Sequence, residues 1–468
     1  MTSHAEFELS APLNALFETH RILNGAPRLA WGVVSDGRLK ASGGHDANKD
    51  TVFRIASMTK SFTAAAVLWL RDRDVLALDD PITKHAPELA TIKLPTGDSR
   101  PITIRQLLTM SSGLATDDPW ADRHMDFSDA ELDAELTQGA LFAVAPGTAM
   151  QYSNLGYGLL GRIVLRSTRE SVQSIISREL LQPLGMLNTH WTIDDYSSAH
   201  DVAIGQQRVD GEYQEIDHVG DGGIAPMGGL FTTVDDLAKW VAFFSDAFPA
   251  RDDIDHAPLS RATRREMQQA HTQFVPESRR GLDGQPRLIQ GGYGMGLMRV
   301  LSDTFETAVT HSGGLPGYGS NMRWVPDRSI GVIALANITY ARMSDAAAAA
   351  IELLGTKQAR RGCLSAPAVE SCGERLVALL NAWTDADADA LFSDNVAMDQ
   401  PYERRADAAR ELVRTHGLLK VHTVEPMSWA EGDVVVRGTA NDATLRIEFQ
   451  LSSQQPPRVQ WYQANVEG

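Results

Sequence analysis

The run from Ser57 to Arg71, Ser-Met-Thr-Lys-Ser-Phe-Thr-Ala-Ala-Ala-Val-Leu-Trp-Leu-Arg, holds no glycine or proline, and Lys60 is its only charge before the last residue. Such a run specifies a helix from about Ser57 to Arg71 that is apolar almost all round, and a helix of that kind has to be buried. The chain must therefore build a core large enough to surround it. It must also accommodate Lys60, because a buried lysine without partners costs stability. A titratable group placed at such a cost marks a candidate functional site.

The flanking patterns say what the helix packs against. Leu29 to Val34 is a short apolar run, Asp36-Gly37 is a hairpin signal, and Leu39 to Ser42 resumes alternation. Between roughly Asp79 and Trp240 the pattern is mainly helical, with segments at Thr103 to Met110, Ser128 to Gln138, Leu155 to Arg166 and Val172 to Leu181. Strand character returns at Tyr293 to Val300, Thr307 to Thr310, Ser320 to Val325 and Ile330 to Ala336, and an alanine-rich helix follows from Ser344 to Leu354. Strands at both ends with helices between them predict one sheet drawn from distant parts of the chain, with a helical insertion.

Near Gly355 the composition shifts. Residues 357–373 read as a linker, and 374–468 as a separate α+β unit after a first domain at 1–356. The second unit begins with helices at Glu374 to Trp383, Asp387 to Leu391 and Ala406 to Thr415. Strand-like runs follow at His422 to Trp429, Asp433 to Thr439, Thr444 to Leu451 and Arg458 to Gln463. Helices first and a meander afterwards resemble the cone-shaped nuclear-transport-factor-2-like fold. With 468 residues, two or three domains of roughly 150 residues are the expectation.

Charge narrows the partners. The chain has 43 basic and 60 acidic residues, a formal net charge of −17. No basic stripe is present to displace counterions, so neither nucleic acid nor an anionic membrane surface is expected as a partner. No stretch approaches the ~20 apolar residues of a membrane span, and the first residues lack a leader pattern, so a cytoplasmic location is expected. Cys363 and Cys372 either close a small loop in an oxidising compartment or remain separate thiols, and separate thiols are the expectation.

Three segments can carry chemistry. In Ser57-x-x-Lys60 the amine and hydroxyl share a helix face, and a lysine whose pKa falls through burial can take a serine proton. Alone, the pattern is more often a capping serine beside a surface lysine. Tyr152-Ser153-Asn154 follows a Pro146-Gly147 turn; the phenol can shuttle a proton, held ionised by a neighbouring ammonium, and the Asn154 amide can orient a lysine or bind a carbonyl. His311-Ser312-Gly313-Gly314 follows a strand-like run, and its glycines allow close backbone approach by a substrate on an edge strand. Among aromatics Tyr318, just after this segment, is the best pocket candidate. Tight metal-ligand spacing is missing, the closest histidines being His416 and His422, and Gly292 to Gly296 has the wrong spacing for a dinucleotide loop. No metal and no cofactor are expected.

Taken together, Ser57-x-x-Lys60, Tyr152-x-Asn154 and His311-x-Gly313 stand in the order of the penicillin-recognising serine hydrolases. The chain resembles the β-lactamase-related, class-C-like enzymes of peptidase family S12 over about residues 10 to 355. Leu107 to Leu114, Pro226 to Thr233 and Gly331 to Asn337 extend the likeness. The resemblance implies a β-lactamase/transpeptidase-like α/β (α+β) fold with an antiparallel sheet. It implies Ser57 as acylated nucleophile, Lys60 as its base and Tyr152 as proton shuttle. Asn154 would hold lysine and substrate, and the N–H groups of Ser57 and Gly314 would form the oxyanion hole. Class C β-lactamases usually carry Lys-Thr-Gly where this chain has His311-Ser312-Gly313. A mostly neutral histidine there argues against efficient β-lactam hydrolysis.

The expected function is acyl-enzyme hydrolysis of an amide or peptide bond, with D-configured residues favoured. The alternatives are a carboxylesterase, an acyl transferase or peptide cyclase, and a sensor of β-lactams or cell-wall fragments without turnover. The partner is a small molecule or short peptide, and the C-terminal unit is a candidate for self-association.

Overall fold

The computed structural model describes residues 3–280, 285–301, 307–355 and 366–466. The chain divides into two compact units, Met1–Phe248 with Asp252–Ala359, and Arg360–Gly468 with Pro249–Arg251. Among the described residues no helix is long and apolar enough to cross a membrane.

In the first unit the Leu29–Ser35 strand turns through Asp36 (φ 49°) and Gly37 (φ 73°) into the Arg38–His45 strand. Both turn residues are left-handed, as a two-residue hairpin requires. Leu29–Ser35 then pairs antiparallel along its whole length with Ile330–Ala336, so the first and last strands are neighbours. Beyond them the sheet continues through Tyr318–Val325, Ala308–Leu315, Met298–Leu301 and Pro286–Tyr293. The sheet drawn from distant parts of the chain, with helices inserted between, is the architecture expected from the sequence.

Ile330–Ala336 is apolar at every position because it is covered on both faces. Val332, Ala334 and Ala336 face the helices Ser3–Asn24 and Met343–Gly355, with Phe17 stacked on Trp31 at 5.1 Å. Ile333 and Leu335 face the core that contains Thr59–Arg71 and Val234–Ser245. The N-terminal helix has no counterpart among the elements expected from the sequence. It carries Pro12 in its interior and anchors through Leu13 and Phe17, a stripe too thin to read as periodicity.

Four expectations change. Ser57 lies in a 3₁₀ turn, Ala56–Met58, and the α-helix begins at Thr59. Tyr293 to Val300 is not one strand: Pro286–Tyr293 and Met298–Leu301 are joined by the Gly294-Met295-Gly296-Leu297 turn. His311 to Gly314 does not follow a strand but lies inside Ala308–Leu315; Met298–Leu301 pairs only with Ala308, Val309 and Thr310, so from His311 onward that side of the strand is an edge. The linker expected at 357–373 is partly helical, because Pro367 starts the helix Pro367–Asn381. Proline suits a first helical turn, and Val369, Cys372 and Leu376 already face the second unit's core. Cys363 lies outside the described residues.

That second unit has helices Pro367–Asn381, Asp385–Leu391, Asp394–Asp399 and Tyr402–His416, then an antiparallel meander. Its strands are Leu419–Pro426, Glu431–Gly438, Thr444–Leu451 and Val459–Val466. Val434, Val436, Leu445, Ile447 and Phe449 form its core with Leu376 and Leu380.

The Gly296 turn reaches the buried helix. A Cβ at Gly296 would lie 2.5 Å from the Lys60 carbonyl oxygen, and its φ is +70°. Gly296→Ala should lose about 1–2 kcal/mol to the left-handed backbone, and about 1–3 kcal/mol more to crowding. Urea unfolding measures this; a stability within 0.5 kcal/mol of the parent, about the scatter of ordinary surface substitutions, would show that the turn and helix are not in contact.

Candidate active site

The turn that carries Ser57 is held from two sides. Ile55 N–H donates to Leu230 O at 2.9 Å, and Ser320 Oγ donates to Ile55 O at 2.8 Å. Between them Ala56 takes φ 51°, an unfavourable conformation for alanine that a surrounding structure must enforce. Gly313 allows the strand to lie directly on this turn, since a Cβ there would sit 2.1 Å from Ile55 O. Distant parts of the sequence thus fix the partly buried Ser57 at the mouth of the helix.

Lys60 is fully buried, and its Nζ lies 2.8 Å from Ser57 Oγ, 2.6 Å from Asn154 Oδ1 and 2.8 Å from Met227 O. Burial pushes its pKa down to about 7, against the pull of Asp118, Asp122 and Asp117. The three neighbours dictate what the neutral amine does. Met227 O can only accept, and Asn154 Oδ1 can only accept, so the two N–H bonds point at them. The lone pair is left for the Ser57 hydroxyl.

Asn154 is oriented in turn. Its Nδ2 donates to Asp118 Oδ1 at 2.6 Å, which aims Oδ1 at the lysine. The Asp117 carboxylate accepts from the N–H groups of Asn154 and Leu155, both at 2.7 Å, satisfying donors at the start of the helix Asn154–Thr168.

Tyr152 lies beside this group, with Lys60 Nζ 5.0 Å from its ring centroid and its phenol near enough to the Ser57 side chain for that group to favour the phenolate. Burial nevertheless raises the phenol well above its ordinary pKa. The expectation that a neighbouring ammonium holds it ionised is thereby corrected: a lysine that is neutral above about pH 7 supplies no such charge. The ring meets Tyr293 edge-on at 6.1 Å and lies 6.5 Å from His311. His311 is buried, with Nδ1 2.7 Å from Ser312 O and Nε2 3.0 Å from Tyr293 Oη. Both ring nitrogens are therefore spent inside the protein, and His311 has no N–H to offer a substrate in this arrangement.

Gly314 is next to Tyr340, whose ring would lie 3.0 Å from a Cβ there. Tyr340 is 48% exposed and donates its hydroxyl to Asp122 Oδ2 at 2.8 Å. Burial lifts Asp122 to about 6. Tyr318 is buried, lines a small cavity with Arg54, Asp122, His218 and Leu315, and donates its hydroxyl to Ala203 O at 2.9 Å. The exposed aromatic beside Gly314 is Tyr340. The sequence reading also passed over Asp117, Asp118, Asp122 and Tyr293. Tyr293 stands in a glycine-rich segment that reads as strand and lacks dinucleotide-loop spacing, and the acidic residues have no local pattern.

With this fold and this cluster of side chains, the chain belongs to the Beta-lactamase family, whose model matches residues 13–356. It is similar to Protein flp of Staphylococcus aureus (strain NCTC 8325 / PS 47), at 28% identity over 306 residues covering 62% of this chain and 54% of that protein. The chain thus spans about half the length of that relative. It is 30% identical to Esterase EstB of Burkholderia gladioli over 327 residues, 64% of this chain and 81% of EstB. Among solved structures, the octameric penicillin-binding protein homologue from Pyrococcus abyssi aligns with a TM-score of 0.62 at 22% identity, covering 98% of this chain and 96% of that one. The D-stereospecific amidohydrolase from Streptomyces sp. aligns with a TM-score of 0.60 at 21% identity, covering 74% and 99%.

Proposed function

We propose that the chain is a serine hydrolase that forms an acyl-enzyme on Ser57, with a carboxylic ester as the favoured substrate. The observation that carries this reading is the Lys60 amine, depressed to about 7 and 2.8 Å from Ser57 Oγ, with its N–H bonds committed elsewhere. Similarity to Esterase EstB supports the ester. The sequence pattern favoured an amide or peptide. The ester moves ahead because His311 offers no donor or charge for the carboxylate of a peptide terminus.

In the proposed reaction neutral Lys60 takes the Ser57 proton as Oγ attacks the carbonyl carbon. The oxyanion faces the N–H groups of Ser57 and Gly314, donors that gain strength where water is excluded. The C–O bond to the leaving alcohol breaks, and the alkoxide takes a proton that Lys60 returns through Tyr152. Water then attacks the acyl-enzyme, giving its proton to the same pair and releasing the acid and Ser57. Tyr152 acts throughout as a protonated relay, which suits a phenol whose ionisation is disfavoured.

A fluorophosphonate probe should label Ser57 alone, at a rate that rises with pH through about 7 as Lys60 loses its proton. Labelling of another serine, with Ser57→Ala still active on p-nitrophenyl esters, would overturn the assignment. Tyr152→Phe removes only the hydroxyl and should lower kcat by about 10²–10⁴, the range for an acid–base group. Steady-state kinetics on p-nitrophenyl butyrate measures this, and a kcat within threefold of the parent, far short of that roughly hundredfold minimum, would reduce Tyr152 to packing.

A further inference from the structure

We propose that Arg54 and His218 form a binding site for one small monovalent anion, of the size of chloride. The site lies within the first unit and does not depend on the hydrolase reading above.

Arg54 belongs to the short strand Phe53–Arg54, which pairs with Phe231–Thr232 just ahead of the Ser57 turn. It is only 4% exposed. The guanidinium lies over the Phe231 ring, 5.0 Å from the centroid. That contact covers one face and leaves the in-plane N–H donors to find acceptors. Among the described residues the side chain makes one hydrogen bond, from Nη2 to Met125 Sδ at 3.8 Å, and Nε has no partner. A thioether is a weak acceptor. Burial lowers Arg54 only to about 10, so the group is a cation at neutral pH. Asp221, Asp122 and Asp126 act on it from a distance, and none of them forms an ion pair with it.

Arg54 borders a cavity of about 10 Å³, room for one water-sized group. His218 lines the same cavity, and its Nε2 is a second buried atom without a partner. Burial, together with the Arg54 charge, lowers the His218 pKa. The neutral ring can carry its hydrogen on Nε2 and so supply a second donor. The remaining polar groups of the wall offer no acceptor to Arg54. The Tyr318 hydroxyl donates to Ala203 O, and Asp122 Oδ2 accepts from Tyr340. Burial lifts Asp122 to about 6, and below that pH it no longer repels an anion. Arg123 and Asp217 are exposed and opposite in charge. A water in the cavity would accept from these donors yet leave the Arg54 charge unbalanced, and a buried charge is costly unless paired. A chloride-sized anion accepts from both donors and balances the charge, whereas acetate and sulfate exceed the space.

Chlorine NMR line broadening at pH 6, with gluconate replacing chloride at constant ionic strength, measures binding without any turnover. The parent should broaden the chloride line saturably. Bromide should compete, and acetate and sulfate should not. Arg54→Met keeps much of the side chain's length without its charge, and its affinity should fall at least about tenfold, as expected when hydrogen bonds to a charged group are lost. His218→Phe, at a half-buried position, keeps the test open should Arg54→Met fail to fold. It removes the second donor and should weaken binding about threefold or more. Crystals of the parent soaked in bromide should show one bromide in contact with Arg54 and His218. A chloride line that the parent leaves unbroadened, or a water in the cavity at saturating bromide, would overturn the proposal. So would parent-like broadening by either folded variant, which would mean an adventitious ion only, or competition by acetate as strong as that by bromide.

Discussion

The structure of the first unit depends on how one buried amine is accommodated. Lys60 sits in a helix with no other charge until its last residue, and the Ser57, Asn154 and Met227 acceptors with the more distant carboxylates of Asp117, Asp118 and Asp122 compensate only part of the loss of water. An ion fully withdrawn from water costs several kcal/mol even after relaxation, so the group gives up its proton instead. Between pH about 7 and 10.5 the folded chain holds fewer protons here than the unfolded one. Stability from this group therefore rises with pH across that window, and the full penalty is present below about 7. In the proposed reaction the destabilisation and the reactivity have the same origin, since the neutral amine that burial favours is also the base that Ser57 would need.

Holding that amine against Ser57 requires the whole sheet. The Ala308–Leu315 strand reaches the Ser57 turn only because Gly313 carries no side chain, and Ser320 on the adjacent strand clamps Ile55 O. The Gly296 turn comes up against the Lys60 carbonyl from another side. These strands come from beyond residue 285, yet they close on a helix that begins at residue 59. The pairing of Leu29–Ser35 with Ile330–Ala336 keeps the two ends of the first unit in register.

What could be read from the sequence was whatever a local period or spacing carries. The i, i+3 relation of Ser57 and Lys60, the Asp36-Gly37 hairpin and the alternation of Thr444–Leu451 are properties of neighbouring residues, and each is present in the structure. The partners of those residues were not legible. Asp118 reaches Asn154, Tyr293 reaches His311 and Tyr340 reaches Asp122 through contacts set by folding, and no short pattern encodes them. Tyr318 lines a small cavity with Arg54, Asp122 and His218, and those partners, distant in sequence, carry no local pattern either. The N-terminal helix is not legible because, among the described residues, Leu13, Leu16 and Phe17 form too short a stripe to read as a period.

The protonation state of Lys60 decides whether Ser57 has a base, and it can be observed at the Nζ atom itself. Nitrogen NMR of the Lys60 side chain, assigned by its disappearance in Lys60→Met, should give a titration midpoint near 7 in the resting protein. A midpoint near 10.5, the ordinary value for lysine, would mean that Lys60 is an ammonium at neutral pH, and the geometry around Ser57 would then have no base at its centre.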